Sequence, residues 1–230
     1  MRPTVYLFDI DGTLISTGGA GRRAMEGAFR DVHGERGPAS VAFSYGGMTD
    51  RAIVRAGLAQ LEHHLPDAAA IDQVLDRYLT RLAHEVAQPA TTYVVHPGVL
   101  DVLAWLKDKP AVAIGLGTGN VKPGAHAKLA RGALVEPFAF GGFGCDAEDR
   151  TELLRIGATR GAGALGVPLA ECRVVVIGDT PKDVAAAHGI GAECIGVGTG
   201  GFEPDALRDL GARAFATLDE DGVREALFSA

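Results

Sequence analysis

Five short runs of apolar residues, each followed by a stretch of different rhythm, constrain the fold of this chain more than any other feature. They are "TVYLFD" (4–9), "AVAIGLGTG" (111–119), "FAFGGFG" (138–144), "CRVVVIGD" (172–179) and "AECIGVG" (192–198), with a shorter sixth at "ARAFAT" (212–217). The runs are continuously apolar rather than alternating, as strands covered on both faces must be. Helical patterns fill 98–107, 121–132, 149–163, 181–189 and 203–210. Strand and helix in turn predict a parallel sheet with right-handed crossovers, hence a doubly wound, Rossmann-like α/β fold.

One interval breaks the rhythm. After the first strand, helical patterns at 19–33, 49–64 and 68–87 precede the next strand. In the last of them Ile71, Leu75, Tyr78, Leu79, Leu82 and Val86 recur at helical spacing and form one apolar stripe. A simple crossover needs far less chain. The expectation is an α/β core made of 1–15 and 96–230, with a helical insertion over 16–95 acting as a cap. Its joints lie at "STGGAG", near 15–20, and at "QPATTYVVHPG", near 89–98.

Composition narrows the function. Over 230 residues the formal charge is −7 and there is no Lys/Arg run, which disfavours a general nucleic-acid role. The three cysteines are dispersed and form no CxxC pair, which argues against a disulfide framework or a structural zinc site. No apolar run approaches the length of a membrane span, and "MRPTVYLFD" carries no apolar leader. A soluble, cytoplasmic protein is expected, monomeric or homodimeric, with no membrane or nucleic-acid partner.

In an open parallel sheet, ligands bind beyond the carboxyl ends of the strands. Asp9 and Asp11 end the first strand, Thr118, Gly119 and Asn120 the second, and Asp179 and Asp183 follow the fourth. Four carboxylates gathered at one edge call for a positive partner. Magnesium, which binds one or two carboxylates together with water and phosphate oxygens, is the natural one. The hydroxyl of Thr118 and the amides of Gly119 and Asn120 open a helix, and such a terminus cradles phosphate. A carboxylate can act as nucleophile and form an aspartyl-phosphate, and a second one two residues away can protonate the leaving oxygen and then activate water.

Each signal has an ordinary reading when taken alone: Asp11-Gly12 as a turn, Thr118-Gly119-Asn120 as a helix cap, Asp183 as a first-turn acid. Their joint placement after buried strands is what favours chemistry.

"DIDGTL", "GTGN" and "GDTPKD" resemble motifs I, II and IV of the haloacid dehalogenase-like hydrolases, and the likeness runs over nearly the whole chain. An insertion straight after motif I resembles the phosphoglycolate phosphatase and β-phosphoglucomutase branch. The resemblance implies Asp9 as nucleophile and Asp11 as general acid/base. It implies magnesium ligands in the Asp9 side chain, the Asp11 main-chain carbonyl and Asp179, with Asp183 supporting the metal shell or the cation of motif III. It also implies that Thr118 holds phosphoryl oxygens. Having the second aspartate points to phosphate esters.

There is one departure. Motif III of that branch presents a lysine, whereas this chain has "GCDAEDRTELLRIGATR". Arg150 is the candidate cation, since a guanidinium stays charged and meets phosphate bidentately. Lys122 and Lys128 lie nearer motif II and read as wrongly placed, and Lys182 as pointing outward. Gly19, Arg22 and Arg51 are candidate substrate contacts in the insertion, beside Arg23. His63 and His64, adjacent in the chain, make a poor metal pair. "GVGTGG" (196–201) fits a dinucleotide fingerprint, but too little chain follows for that fold, so it is read as a loop near the active edge.

The reading is a magnesium-dependent phosphatase acting on a small phosphorylated metabolite. A sugar-phosphate mutase on the same site and a catalytically silent binding or regulatory protein stay open as alternatives.

Overall fold

The computed structural model describes residues 2–62, 65–88 and 92–229. Its strands are β1 (Thr4–Phe8), β2 (Ile15–Thr17), β3 (Tyr93–Val95), β4 (Val112–Thr118), β5 (Phe140–Phe143), β6 (Arg173–Gly178), β7 (Glu193–Val197) and β8 (Arg213–Phe215). Its helices are α1 (Ala20–His33), α2 (Gly37–Ser40), α3 (Asp50–Glu62), α4 (Ala68–Ala87), α5 (Val99–Lys107), α6 (Lys122–Ala130), α7 (Arg150–Leu165), α8 (Pro181–Gly189), α9 (Pro204–Arg208) and α10 (Val223–Phe228).

Six strands form one sheet in the order β5-β4-β1-β6-β7-β8, and every pair is parallel. Counted along the sheet's own strands this is 3-2-1-4-5-6, the doubly wound order, whose direction of winding reverses between β1 and β6. Alternate residues of β1 serve opposite faces. Tyr6 and Phe8 pack with Val99, Leu103 and Leu227 on one side, and Val5 and Leu7 with Leu153, Leu154 and Val184 on the other. This two-sided burial is why the strand runs are unbroken.

The helices α1 to α4 enclose a third cluster, with Phe29, Leu58, Val74, Tyr78 and Leu82 at its centre. The expected stripe on α4 is buried, except that Leu79 is only partly covered and Val74 joins it. Asp67 caps this helix by accepting from the Ala70 amide at 2.8 Å. A small ribbon links the inserted helices to the sheet: β2 pairs antiparallel with β3, Ile15 opposite Val95 and Thr17 opposite Tyr93. The sequence shows a joint there but not a ribbon, because three residues per strand carry no periodicity. Part of the second joint, 89–91, lies outside the described residues, as do His63 and His64. Among the described residues, no helix is long and apolar enough to cross a membrane.

Candidate active site

The carboxyl ends of β1 and β6 meet where the sheet's winding reverses, and the Asp9 amide donates to Ile177 O at 2.9 Å. Beyond β1 the chain turns sharply at Gly12, whose φ is +83°. A Cβ there would stand 2.5 Å from Asp179 Oδ2 and 2.8 Å from Gly200 Cα. The turn therefore needs glycine both for its conformation and for its close approach. Beyond β6, Thr180 and Asp183 form a reciprocal capping box that opens α8.

Asp9, Asp179 and Asp183 are buried, and one oxygen of each lies within 4.8 Å of the others. The oxygens of Asp183 are already used. Oδ1 accepts from Arg150 Nε at 2.8 Å and Nη2 at 2.5 Å, and Oδ2 from the Thr180 amide at 3.0 Å and hydroxyl at 2.7 Å. Arg150 Nη2 also lies 2.9 Å from Asp9 Oδ2. The arginine expected in place of the motif III lysine thus bridges two buried aspartates.

Among the described residues, Asp179 receives only the Thr13 hydroxyl, at 3.1 Å on Oδ1. Burial, with the charges of Asp9 and Asp183 added, pushes its pKa up to about 8. Burial likewise lifts Asp9 to about 6 against the pull of Arg150. Two buried carboxylates with too little positive charge among them, and oxygen donors only, fit a hard divalent cation.

Asp11 lies in a different setting. Its side chain is 43% exposed, and Oδ2 accepts from Lys128 Nζ at 2.6 Å. Asn120 Nδ2 donates to the same oxygen at 2.9 Å and to Thr118 Oγ1 at 2.9 Å, while Asn120 Oδ1 accepts from Lys128 at 2.6 Å. Sequence reasoning set Lys128 aside as the motif III cation, a place Arg150 takes, but did not foresee that it reaches Asp11. The helix α6 carries it two turns along and back over the carboxylates, where it is 4% exposed. Burial opposes its charge, but Asp11 and Asp50 outweigh that and hold its pKa above the ordinary lysine value. A signal was present: Val121, Ala125 and Lys128 share one face at helical spacing, so the lysine sits in an otherwise buried row. Lys122 instead points at the Phe143 ring, 5.8 Å from its centroid, and Lys182 is exposed.

A cleft of about 540 Å³ lies between the sheet edge and the inserted helices, walled by Asp9, Asp11, Asn120, Lys128, Arg150 and Asp179 among others. Gly119 also lines it, whereas Thr118 is fully buried behind Asn120. From the insertion, Gly19 and Arg22 reach the cleft. The Arg22 guanidinium lies 4.2 Å from the centroid of the Tyr45 ring and donates to Phe43 O at 2.8 Å. Arg51 is not brought to the wall. It pairs with Asp72 at 2.6 Å and lies 3.8 Å from Glu148. Arg23 likewise turns away to Glu85, at 2.8 Å.

Sequence reasoning missed Asp50 and Tyr78, buried residues of the insertion that line the cleft. Asp50 Oδ2 accepts from the Val121 amide at 2.9 Å, and burial together with the Asp50 charge raises the pKa of the neighbouring Tyr78. The "GVGTGG" loop does lie at this edge: Thr199 donates to Gly12 O, and Thr199 and Gly200 line the cleft.

A family model described as haloacid dehalogenase-like hydrolase matches residues 3–191. No curated protein matches the chain. Among solved structures, CbbY from Rhodobacter sphaeroides in complex with phosphate is 21% identical, with a TM-score of 0.70 over 99% of each chain. A variant of that protein in complex with xylulose 1,5-bisphosphate gives 21% and 0.69, again over 99% of each chain. A predicted phosphoglycolate phosphatase from Haemophilus somnus is 14% identical, with a TM-score of 0.64 over 94% of this chain and 95% of its own. At these identities the likeness is one of fold.

Proposed function

Because the chain belongs to the haloacid dehalogenase-like hydrolases, we propose that it is a magnesium-dependent phosphatase that hydrolyses a small phosphorylated metabolite through an aspartyl-phosphate on Asp9. The observation that carries this reading is the contrast between two carboxylates two residues apart. Asp9 is buried and ion-paired to Arg150, whereas Asp11 is half exposed and held by Lys128. Carboxylates in environments this different can take different tasks in one reaction.

Asp9 attacks phosphorus. The ester bond breaks with its electron pair on the leaving oxygen, and Asp11 gives that oxygen its proton. Asp11, now a carboxylate, takes a proton from water as the water attacks the aspartyl-phosphate and restores Asp9. Arg150 steers Asp9 and faces the equatorial oxygens, and Gly119 and Asn120, with Thr118 behind them, cradle the phosphoryl group.

The Asp9 and Asp179 side chains and the Asp11 main-chain carbonyl would hold magnesium, while Asp183 orients Arg150 rather than binding the ion directly. Bound there, magnesium would neutralise charge on the transferring phosphoryl group. Residues 16–95 serve as a cap on a core of 1–15 and 96–230. Gly19 and Arg22 on the cap wall contact the rest of the substrate. The neighbours bound to phosphate and to a sugar bisphosphate support a phosphorylated ligand in this cleft.

The test is phosphate release from a panel of phosphate esters, with magnesium and with EDTA, for wild type beside Asp9→Asn. Magnesium-dependent release that the variant loses is expected. Interconversion of a sugar phosphate without free phosphate would replace the reading by a phosphomutase. No turnover of any ester would leave a binding protein.

A further inference from the structure

Lys128 is a nearly buried cation in a helix whose neighbouring inward positions, Gly124, Ala125 and Leu129, are small or apolar. Packing alone would favour an apolar residue there, because a buried charge costs several kcal/mol unless it is paired. What it does is specific. Lys128 Nζ and Asn120 Nδ2 both donate to Oδ2 of Asp11, at 2.6 Å and 2.9 Å, and the Lys128–Asn120 bond at 2.6 Å fixes which way the amide points. Among the described residues, Oδ1 of Asp11 accepts no hydrogen bond. Asp50, held by the Val121 amide, adds a second negative charge near the lysine from the inserted helices.

We infer that Lys128 is a positioning residue for Asp11: together with Asn120 it anchors Oδ2, leaving Oδ1 as the one oxygen that exchanges a proton with the reacting groups. An oxygen that accepts two short hydrogen bonds has no lone pair left for a proton, and a carboxyl group held at one oxygen no longer swings about its terminal torsion. This inference rests on the phosphatase reading. As the bond between phosphorus and the leaving oxygen breaks, that oxygen keeps the electron pair and takes the proton from Oδ1. When water attacks the aspartyl-phosphate, it loses a proton to Oδ1, and the bond between phosphorus and Asp9 breaks with its pair on the Asp9 carboxylate.

The leaving group reads this role directly. A nitrophenolate departs without protonation, whereas a simple alkoxide needs the acid, and general acid catalysis contributes about 10²-fold or more. The experiment compares kcat/KM, which reports the first phosphoryl transfer, for 4-nitrophenyl phosphate and for an alkyl phosphate in wild type, Lys128→Met and Lys128→Arg. Lys128→Met is expected to lose about 10²-fold on the alkyl ester and only a few-fold on the aryl ester, with Lys128→Arg recovering part of the alkyl activity. An equal loss on both esters, or none, would overturn the inference. If circular dichroism shows that Lys128→Met does not fold, Asn120→Ala, which removes the other donor to Oδ2, is read on the same two esters with the same skew expected, and a flat profile overturns it. A wild type inactive on both esters overturns the phosphatase reading and this inference with it. An active wild type with flat variants overturns this inference alone.

Discussion

Nη2 of Arg150 lies 2.9 Å from Oδ2 of Asp9, and the same atom lies 2.5 Å from Oδ1 of Asp183. One guanidinium therefore ties the first motif to the fourth across the point where the sheet's winding reverses. Replacing Arg150 by alanine strands two buried carboxylates. Unfolding by urea is expected to show a loss of about 3–5 kcal/mol, the usual result of breaking a buried ion pair from one side. Phosphatase activity should fall by about 10²–10³, as it does when a donor to developing charge is removed. Stability and activity both near wild type would show that the bridge does neither job.

Asp179 is buried with little compensation, the Thr13 hydroxyl being its one side-chain donor among the described residues. Asp179→Asn removes one of three crowded, buried carboxyl groups. The metal-free variant should melt higher than metal-free wild type, while its half-saturating magnesium concentration rises at least about tenfold, since losing even an outer-shell partner of a ligand costs about 10–100-fold in metal affinity. A lower melting temperature together with an unchanged magnesium titration would remove Asp179 from the ligand set.

Gly200 allows the "GVGTGG" loop to lie against the same carboxylate. A Cβ on it would fall 1.6 Å from Asp179 Oδ2, so the loop or the carboxylate must move. Gly200→Ala is expected to weaken magnesium binding with little change in overall stability. Calorimetry with magnesium checks this, and wild-type affinity would show that the loop gives way freely.

Away from the site, Glu193 is held below the usual glutamate pKa, first by the hydrogen bonds from Arg173. A lowered folded pKa means that the unfolded chain binds more protons in this range, so stability rises with pH there. The contribution is complete above the ordinary value of 4.5 and is lost as pH falls through the lower folded value. Glu193→Gln should flatten the acid limb of a plot of urea midpoint against pH, and it should leave catalysis unchanged. A steeper acid limb would contradict the assignment.

Much of this was readable from the sequence, for reasons specific to each element. β1 and β6 are buried on both faces, so their apolar runs stand out, and the carboxylates that follow must sit at the sheet edge. Arg150 comes from the likeness to motif III, which presents a cation ahead of the helix leading to motif IV. The contact of Lys128 with Asp11 does not follow from distance along the chain, and the inward row of α6 is the better guide to it. Arg51 was overvalued because its first-turn position on α3 says nothing of Asp72, which α4 brings from elsewhere in the chain to pair with it. Asp50 went unnoticed because its partners, the Val121 amide and Tyr78, become neighbours only when the inserted helices pack on α6. The β2–β3 ribbon and α10 are too short for periodicity to show.

The proposed chemistry stands or falls with Asp9 as the residue that carries the phosphoryl group. The most direct measurement is rapid acid quench during turnover of a phosphate ester, followed by peptide mass spectrometry. A phosphoryl adduct is expected on the peptide containing Asp9, formed in the burst and absent from Asp9→Asn. A full burst of product with that peptide unmodified throughout would contradict it.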